Sequence, residues 1–169
     1  MGISDLNEQY LYPGGLIVSE SPLLVTTILG SCVSLCLWDP VNHIGGINHF
    51  MLPLWNGEGL ATPRYGSIAA EKLLKRMLEL GSNQKTLVAK IFGGARVLQV
   101  INTRLDIGRS NILFVEKFLM ENDIQIASRH TGGDVGRKIK FQTDTGVVMM
   151  KLLSKNQTIP DLLLKGELE

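Results

Sequence analysis

A chain of 169 residues is long enough for one compact domain with a real core. Its 44% hydrophobic and 20% charged content is ordinary globular usage, which excludes a fibrous repeat and a disordered chain. With 17 basic and 16 acidic residues the net charge is +1, so no strong field gathers nucleic acid or an anionic membrane, and neither is expected as a partner.

The opening MGISDLNEQYLYPGG lacks the basic start and apolar run of a secretory signal. The longest apolar stretch, Leu23 to Trp38, contains Thr26, Thr27, Gly30, Ser31, Cys32 and Ser34. It is too short and too polar for a bilayer span of about 20 residues. The two cysteines, Cys32 and Cys36, would stand roughly 13 Å apart on one strand, beyond disulfide reach. These features predict a cytoplasmic protein with reduced thiols.

In chain order, Gly15 to Ser19 reads as a short strand. Leu23 to Trp38 is rich in β-branched residues and is interrupted at Gly30-Ser31. Asp39-Pro40-Val41-Asn42 is a turn, and Ile44 to Leu52 is the returning strand. Leu54 to Arg64, with two glycines and a proline, is a loop within the domain. Ser67 to Leu80 is a helix with the stripe Ala70, Leu73, Leu74, Met77 and Leu80, an N-cap at Ser67 and a stop at Gly81. Leu87 to Phe92 is a strand ending in Gly93-Gly94. Ser110 to Glu121 is a second helix with Leu113, Phe114, Phe118 and Met120 facing inward. Ile124 to Ser128, Lys138 to Thr143 and Val147 to Leu153 are strands, separated by Gly132-Gly133, Gly136 and Thr145-Gly146. The pattern predicts one α/β domain of the α+β type, with mixed sheets and helices packed outside. Its core spans about residues 14–152, with 1–13 and 154–169 peripheral.

Chemistry concentrates on the hairpin. If Asp39 and Asn42 close a four-residue turn, Cys32 lies directly across from His49 on the same face. A thiol beside an imidazole is an acyl-transfer nucleophile with its base, the imidazole holding the thiolate as an ion pair. Gly30 and Ser31 allow a sharp bend that frees backbone N–H groups for an oxyanion, and Asn48 is a further candidate for that role. A third group must orient the imidazole. Thr26, six residues before Cys32, shares its face in a regular strand, whereas Thr27 points the other way; which hydroxyl serves stays open. Against this, a cysteine in an apolar strand is commonly just a small buried hydrophobe, and that reading suits Cys36. His43 falls in the turn, and His130 beside the glycine loop reads as structural. Gly132 to Lys138 lacks the P-loop pattern and precedes a strand, not a helix, so it does not read as a phosphate site. No metal-ligand spacing is present, and no cofactor is expected.

Several blocks carry a family resemblance: Leu29-Gly30-Ser31-Cys32-Val33, Asp39-Pro40, Gly45 to Pro53 (GGINHFMLP), Arg64-Tyr65-Gly66, Lys90 to Ala95, Ile107-Gly108 with Asn111, Gly132-Gly133 with Gly136-Arg137, and Thr145-Gly146. In this order they resemble the chemoreceptor glutamine deamidases of the CheD family. The resemblance implies a Cys-His-Thr triad on Cys32, His49 and Thr26, and deamidation of glutamines on methyl-accepting chemoreceptors. It also implies a layered α-β-β-α fold similar to that of deamidating toxins, and a CheC-type phosphatase as a further partner. The alternative is a non-enzymatic adaptor that binds and regulates such a phosphatase. The chain departs from the family pattern at Ser67, where an acidic residue is expected, and at His130-Thr131, where an acidic and an aliphatic residue are expected.

Overall fold

The computed structural model describes residues 2–96 and 106–154. Nine strands and two α-helices form three layers among these residues. The first sheet has the order β1 (Asn7–Tyr10), β3 (Leu23–Leu29), β8 (Arg137–Gln142) and β9 (Val148–Leu152). The second runs β2 (Leu16–Ser19), β5 (Ile44–Asn48), β4 (Val33–Asp39), β6 (Val88–Gly93) and β7 (Gln125–Thr131). Both are mixed: β1 with β3 and β6 with β7 are parallel, and all other pairs are antiparallel.

Side-chain alternation makes the layers. In β8, Arg137, Ile139 and Phe141 point inward while Lys138, Lys140 and Gln142 are more exposed, the period-two signature of a sheet wet on one face. Val25, Leu29, Ile139 and Phe141 of the first sheet pack against Cys36, Ile47 and Phe92 of the second. On its other face the second sheet presents Val33, Leu35, Leu37, Ala89 and Ile91 to helices α1 (Gly66–Glu79) and α2 (Ile107–Glu121). This is the expected α+β class. The resemblance led to the expectation of helices on both sides, but both described helices cover the same sheet. No described helix is long and apolar enough to cross a membrane.

Four details differ from the sequence reading. Residues expected to be peripheral form β1, and Leu11 beyond it is 2% exposed in the sandwich core. The stretch 155–169 lies outside the described residues. The run Leu23 to Trp38 is two strands in different sheets, the chain crossing over at Gly30-Ser31. Helix α1 begins at Gly66 without a side-chain cap, and Ser67 Oγ instead accepts from Trp55 N–H. On α2 the buried stripe is Gly108, Asn111, Val115, Phe118 and Leu119, while Leu113 and Met120 face solvent. A stripe that opens on glycine and asparagine conceals its phase from a hydrophobicity pattern.

Candidate active site

The hairpin register places the candidate pair. The turn is longer than expected: His43 N–H bonds Asp39 O, His43 holds φ +56, and Asp39 Oδ1 accepts from the N–H groups of Val41 and Asn42. Asp39 therefore pairs Ile44, and Cys36 pairs Ile47. The predicted Cys32–His49 pairing is displaced by two residues. A shift of two preserves the face. Cys32 and Cys36 pack in the cluster between the sheets, as does Ile47, two residues before His49. The Val33–Phe50 bridge then sets Cys32 and His49 on a diagonal, where Cβ atoms lie about 7 Å apart. No hydrogen bond joins them.

His49 is 1% exposed, and its neighbours determine its tautomer. Thr27 Oγ1 donates to Leu11 O at 2.7 Å, which uses its only hydrogen. The contact of 2.8 Å between Thr27 Oγ1 and His49 Nδ1 must then run from Nδ1–H to the hydroxyl oxygen. This leaves Nε2 as the lone-pair nitrogen, buried and without a hydrogen-bond partner among the described residues. Thr26 faces away: its hydroxyl donates to Glu8 Oε1 at 2.7 Å. Of the two threonines the sequence left open, Thr27 and not Thr26, the one implied by the resemblance, contacts His49. Counting alternation from position 32 back to 26 fails because Gly30-Ser31 carry the chain from one sheet to the other.

Burial sets the protonation of both groups. It pushes the Cys32 thiol up to about 11 and His49 down to about 4. Burial by itself thus favours the thiol and the neutral imidazole over the ion pair expected from the sequence. Charge separation is disfavoured for either group alone, yet once formed the two charges attract strongly in a poorly hydrated site.

The loop carrying Cys32 is clamped through its carbonyls. Gly30 O accepts from Ala95 N–H at 2.8 Å, Cys32 O from Gly94 N–H at 2.8 Å, and Ser31 O from Asn111 Nδ2 at 3.0 Å. The N–H of Ser31 has no main-chain partner among the described residues, and the N–H of Cys32 lies against its own sulfur, so both are candidate oxyanion donors beside the thiol. Gly93 makes the clamp possible. Its φ is +112, and a Cβ there would strike the Cys32 carbonyl. Asn48 plays another part. It is fully buried, and its Oδ1 accepts from Leu35 N–H at 2.9 Å, standing in for a main-chain ladder bond.

Sequence reasoning missed Arg137. It is 1% exposed at the start of β8 and pairs Leu29. Its guanidinium donates to the carbonyls of His130 and Gly132 and lies 2.7 Å from His130 Nδ1. Gly132 N–H in turn bonds Gly93 O. Arg137 so ties the first sheet to the β7 end of the second, beside the loop that carries Cys32. The signal was the Gly132-Gly133 with Gly136-Arg137 block, which the sequence offered as part of the family resemblance and as turn glycines, with no role for the arginine. His43 contacts Asp144 O from the turn, and Cys36 is buried at 1% exposure. Among the described residues no group of three metal-ligating side chains converges.

The sequence profile described as CheD chemotactic sensory transduction matches residues 51–152. The chain is 49% identical to a protein of Trichlorobacter lovleyi over 87% of its own length and 91% of the relative's. It belongs to the CheD family. CheD proteins of Sulfurimonas denitrificans and Rhodospirillum rubrum are each 39% identical to it, over 90% and 93% of this chain and 99% and 89% of theirs. All three carry the name "probable chemoreceptor glutamine deamidase CheD". Among solved structures, the Bacillus licheniformis hypothetical protein YfiH overlaps 68% of this chain and 49% of its own, with a TM-score of 0.44 and 20% identity. The CheD match covers β5's exit, both helices and the Arg137 strap; Thr27, Cys32 and His49 precede it.

Proposed function

We infer that this chain is a cysteine-dependent chemoreceptor glutamine deamidase. The observation that carries the reading is the Thr27–His49 contact, which leaves the imidazole lone pair on Nε2, on the sheet face that also bears Cys32. The names of its relatives supply the substrate.

In the proposed reaction His49 Nε2 takes the thiol proton as Cys32 Sγ attacks the side-chain amide carbon of glutamine. The carbonyl π pair moves to oxygen, and the oxyanion is received by the N–H groups of Ser31 and Cys32. His49 returns the proton to nitrogen, the C–N bond breaks, and ammonia leaves a thioester. Water, deprotonated by His49, then attacks the thioester. The C–S bond breaks, the imidazolium of His49 returns its proton to the departing sulfur, and the new carboxyl group loses its proton to solvent, giving glutamate and the free thiol. No cofactor enters the balance. The substrate is the helical cytoplasmic part of the receptor.

The test is mass spectrometry of a purified receptor cytoplasmic fragment incubated with the protein. The expected product has glutamate at specific glutamine positions and one ammonia per conversion. A fragment left unmodified while the protein still stimulates a CheC-type phosphatase would instead establish the adaptor reading. Thr27→Val is expected to lower kcat on the order of 10²-fold, at the low end of general-base contributions, by freeing the ring and its tautomer. Thr26→Val is expected to leave kcat unchanged, because its hydroxyl serves Glu8. Equal losses in both variants would remove Thr27 from the proposed triad.

A further inference from the structure

The register between Cys32 and His49 has little main-chain support. His49 bonds neither way to β4; its N–H goes to Gly15 O and its carbonyl accepts from Gly14 N–H. Cys32 lies one residue before the start of β4. Next to the pair, only the reciprocal Val33–Phe50 bonds, at 3.1 and 3.0 Å, join the two segments through main chain.

Asn111 supplies a second tie. It is fully buried on α2, and its Nδ2 donates to Ser31 O and to Met51 O, each at 3.0 Å. Ser31 precedes the candidate nucleophile, and Met51 follows the candidate base by two residues. Both acceptors are carbonyl oxygens, so only the NH₂ end of the amide can serve, and its two hydrogens match the two acceptors. The helix reaches this depth because Gly108, one turn earlier, packs on the Gly93-Gly94 loop; a Cβ at Gly108 would lie 2.5 Å from Gly94 O. The same loop holds Cys32 O.

We propose that Asn111 is a positioning residue for deamidation, its single amide nitrogen holding the nucleophile loop and the base segment at a fixed separation. The proposal rests on the Cys32–His49 reading. It assigns α2 a part in catalysis that its distance from the sheet ladder conceals. A buried amide serving only stability would melt the fold when lost but would not alter how Cys32 reacts in molecules that stay folded.

The experiment compares the parent, Asn111→Leu and His49→Ala in two assays. One is kcat and KM for ammonia release. The other is the rate at which iodoacetamide alkylates Cys32 across pH, read by peptide mass spectrometry. Asn111→Leu is expected to lose kcat on the order of 10²-fold, as misplaced reacting groups do, with KM nearly unchanged. Its alkylation profile is expected to approach that of His49→Ala. Asn111→Ser, able to donate to one carbonyl only, gives intermediate values and substitutes where the leucine variant does not fold. Parent-like kcat and alkylation in either folded variant overturn the proposal, as does a loss confined to KM. A profile that moves in His49→Ala but not at position 111 sinks the bridge alone. A profile unmoved in His49→Ala, with no ammonia released by the parent, sinks the Cys32–His49 reading and the bridge with it.

Discussion

Cys32→Ala is expected to abolish ammonia release from a receptor fragment, a loss on the order of 10⁴-fold or more, because no second nucleophile can form the thioester. The substitution removes one partly exposed sulfur, so the fold is expected to persist. His49→Ala is expected to match that loss, since the sulfur then keeps its proton. The pH profile gives an independent check. The base works only as neutral imidazole, and burial disfavours the cation so strongly that His49 titrates near 4, down from 6.5. The acid limb of kcat/KM is expected near pH 4, where an unshifted histidine would give one near 6.5. Stability follows the same linkage. Between pH 6.5 and about 4 the unfolded chain takes up a proton that folded His49 refuses, so stability is full above 6.5 and falls with acid by roughly 3 kcal/mol. Activity within tenfold of the parent in Cys32→Ala would end the mechanism, and an acid limb at 6.5 would show His49 to be solvated in the working enzyme.

Arg137→Met is expected to lower stability by about 3 kcal/mol, the scale of losing charge-assisted bonds from a buried guanidinium to two main-chain carbonyls. For a domain of this size the melting temperature should fall by roughly 6–12 °C. Arg137→Lys is not expected to restore it, because a single ammonium cannot span acceptors that a planar guanidinium reaches together. Activity in the surviving folded fraction is expected to fall too. The strap runs from Arg137 through Gly132 to Gly93, and Gly93 precedes the N–H that holds Cys32 O. Thermal unfolding measures the first effect, and a melt within 2 °C of the parent would show that the guanidinium bonds contribute little net stability.

The hairpin shows how far local pattern carries. Asp39-Pro40 predicts the turn, and the apolar runs either side predict its strands, so a cysteine and a histidine on one sheet face were legible. The register was not, because Asp39 and His43 settle the turn length through a carboxylate bonding two N–H groups and a left-handed residue. The error happened to be even, and parity survived it. Helix α2 shows the opposite outcome: its inward face is built on Gly108 and Asn111, which no hydrophobic periodicity reveals, and Leu113 was drawn inward by mistake.

Residue types by themselves determined the class of the domain, the candidate nucleophile and base, and the absence of a field suited to nucleic acid. Tertiary structure alone decided which threonine meets His49, which carbonyls Arg137 and Asn111 reach, and that burial disfavours charge on both thiol and imidazole. The reason is physical. Alternation along one strand is a local rule, and it holds only while the chain stays in one sheet. Burial, the charge states it sets, and the bonds made by Arg137 and Asn111 depend on segments far apart in sequence that only the folded layers bring together.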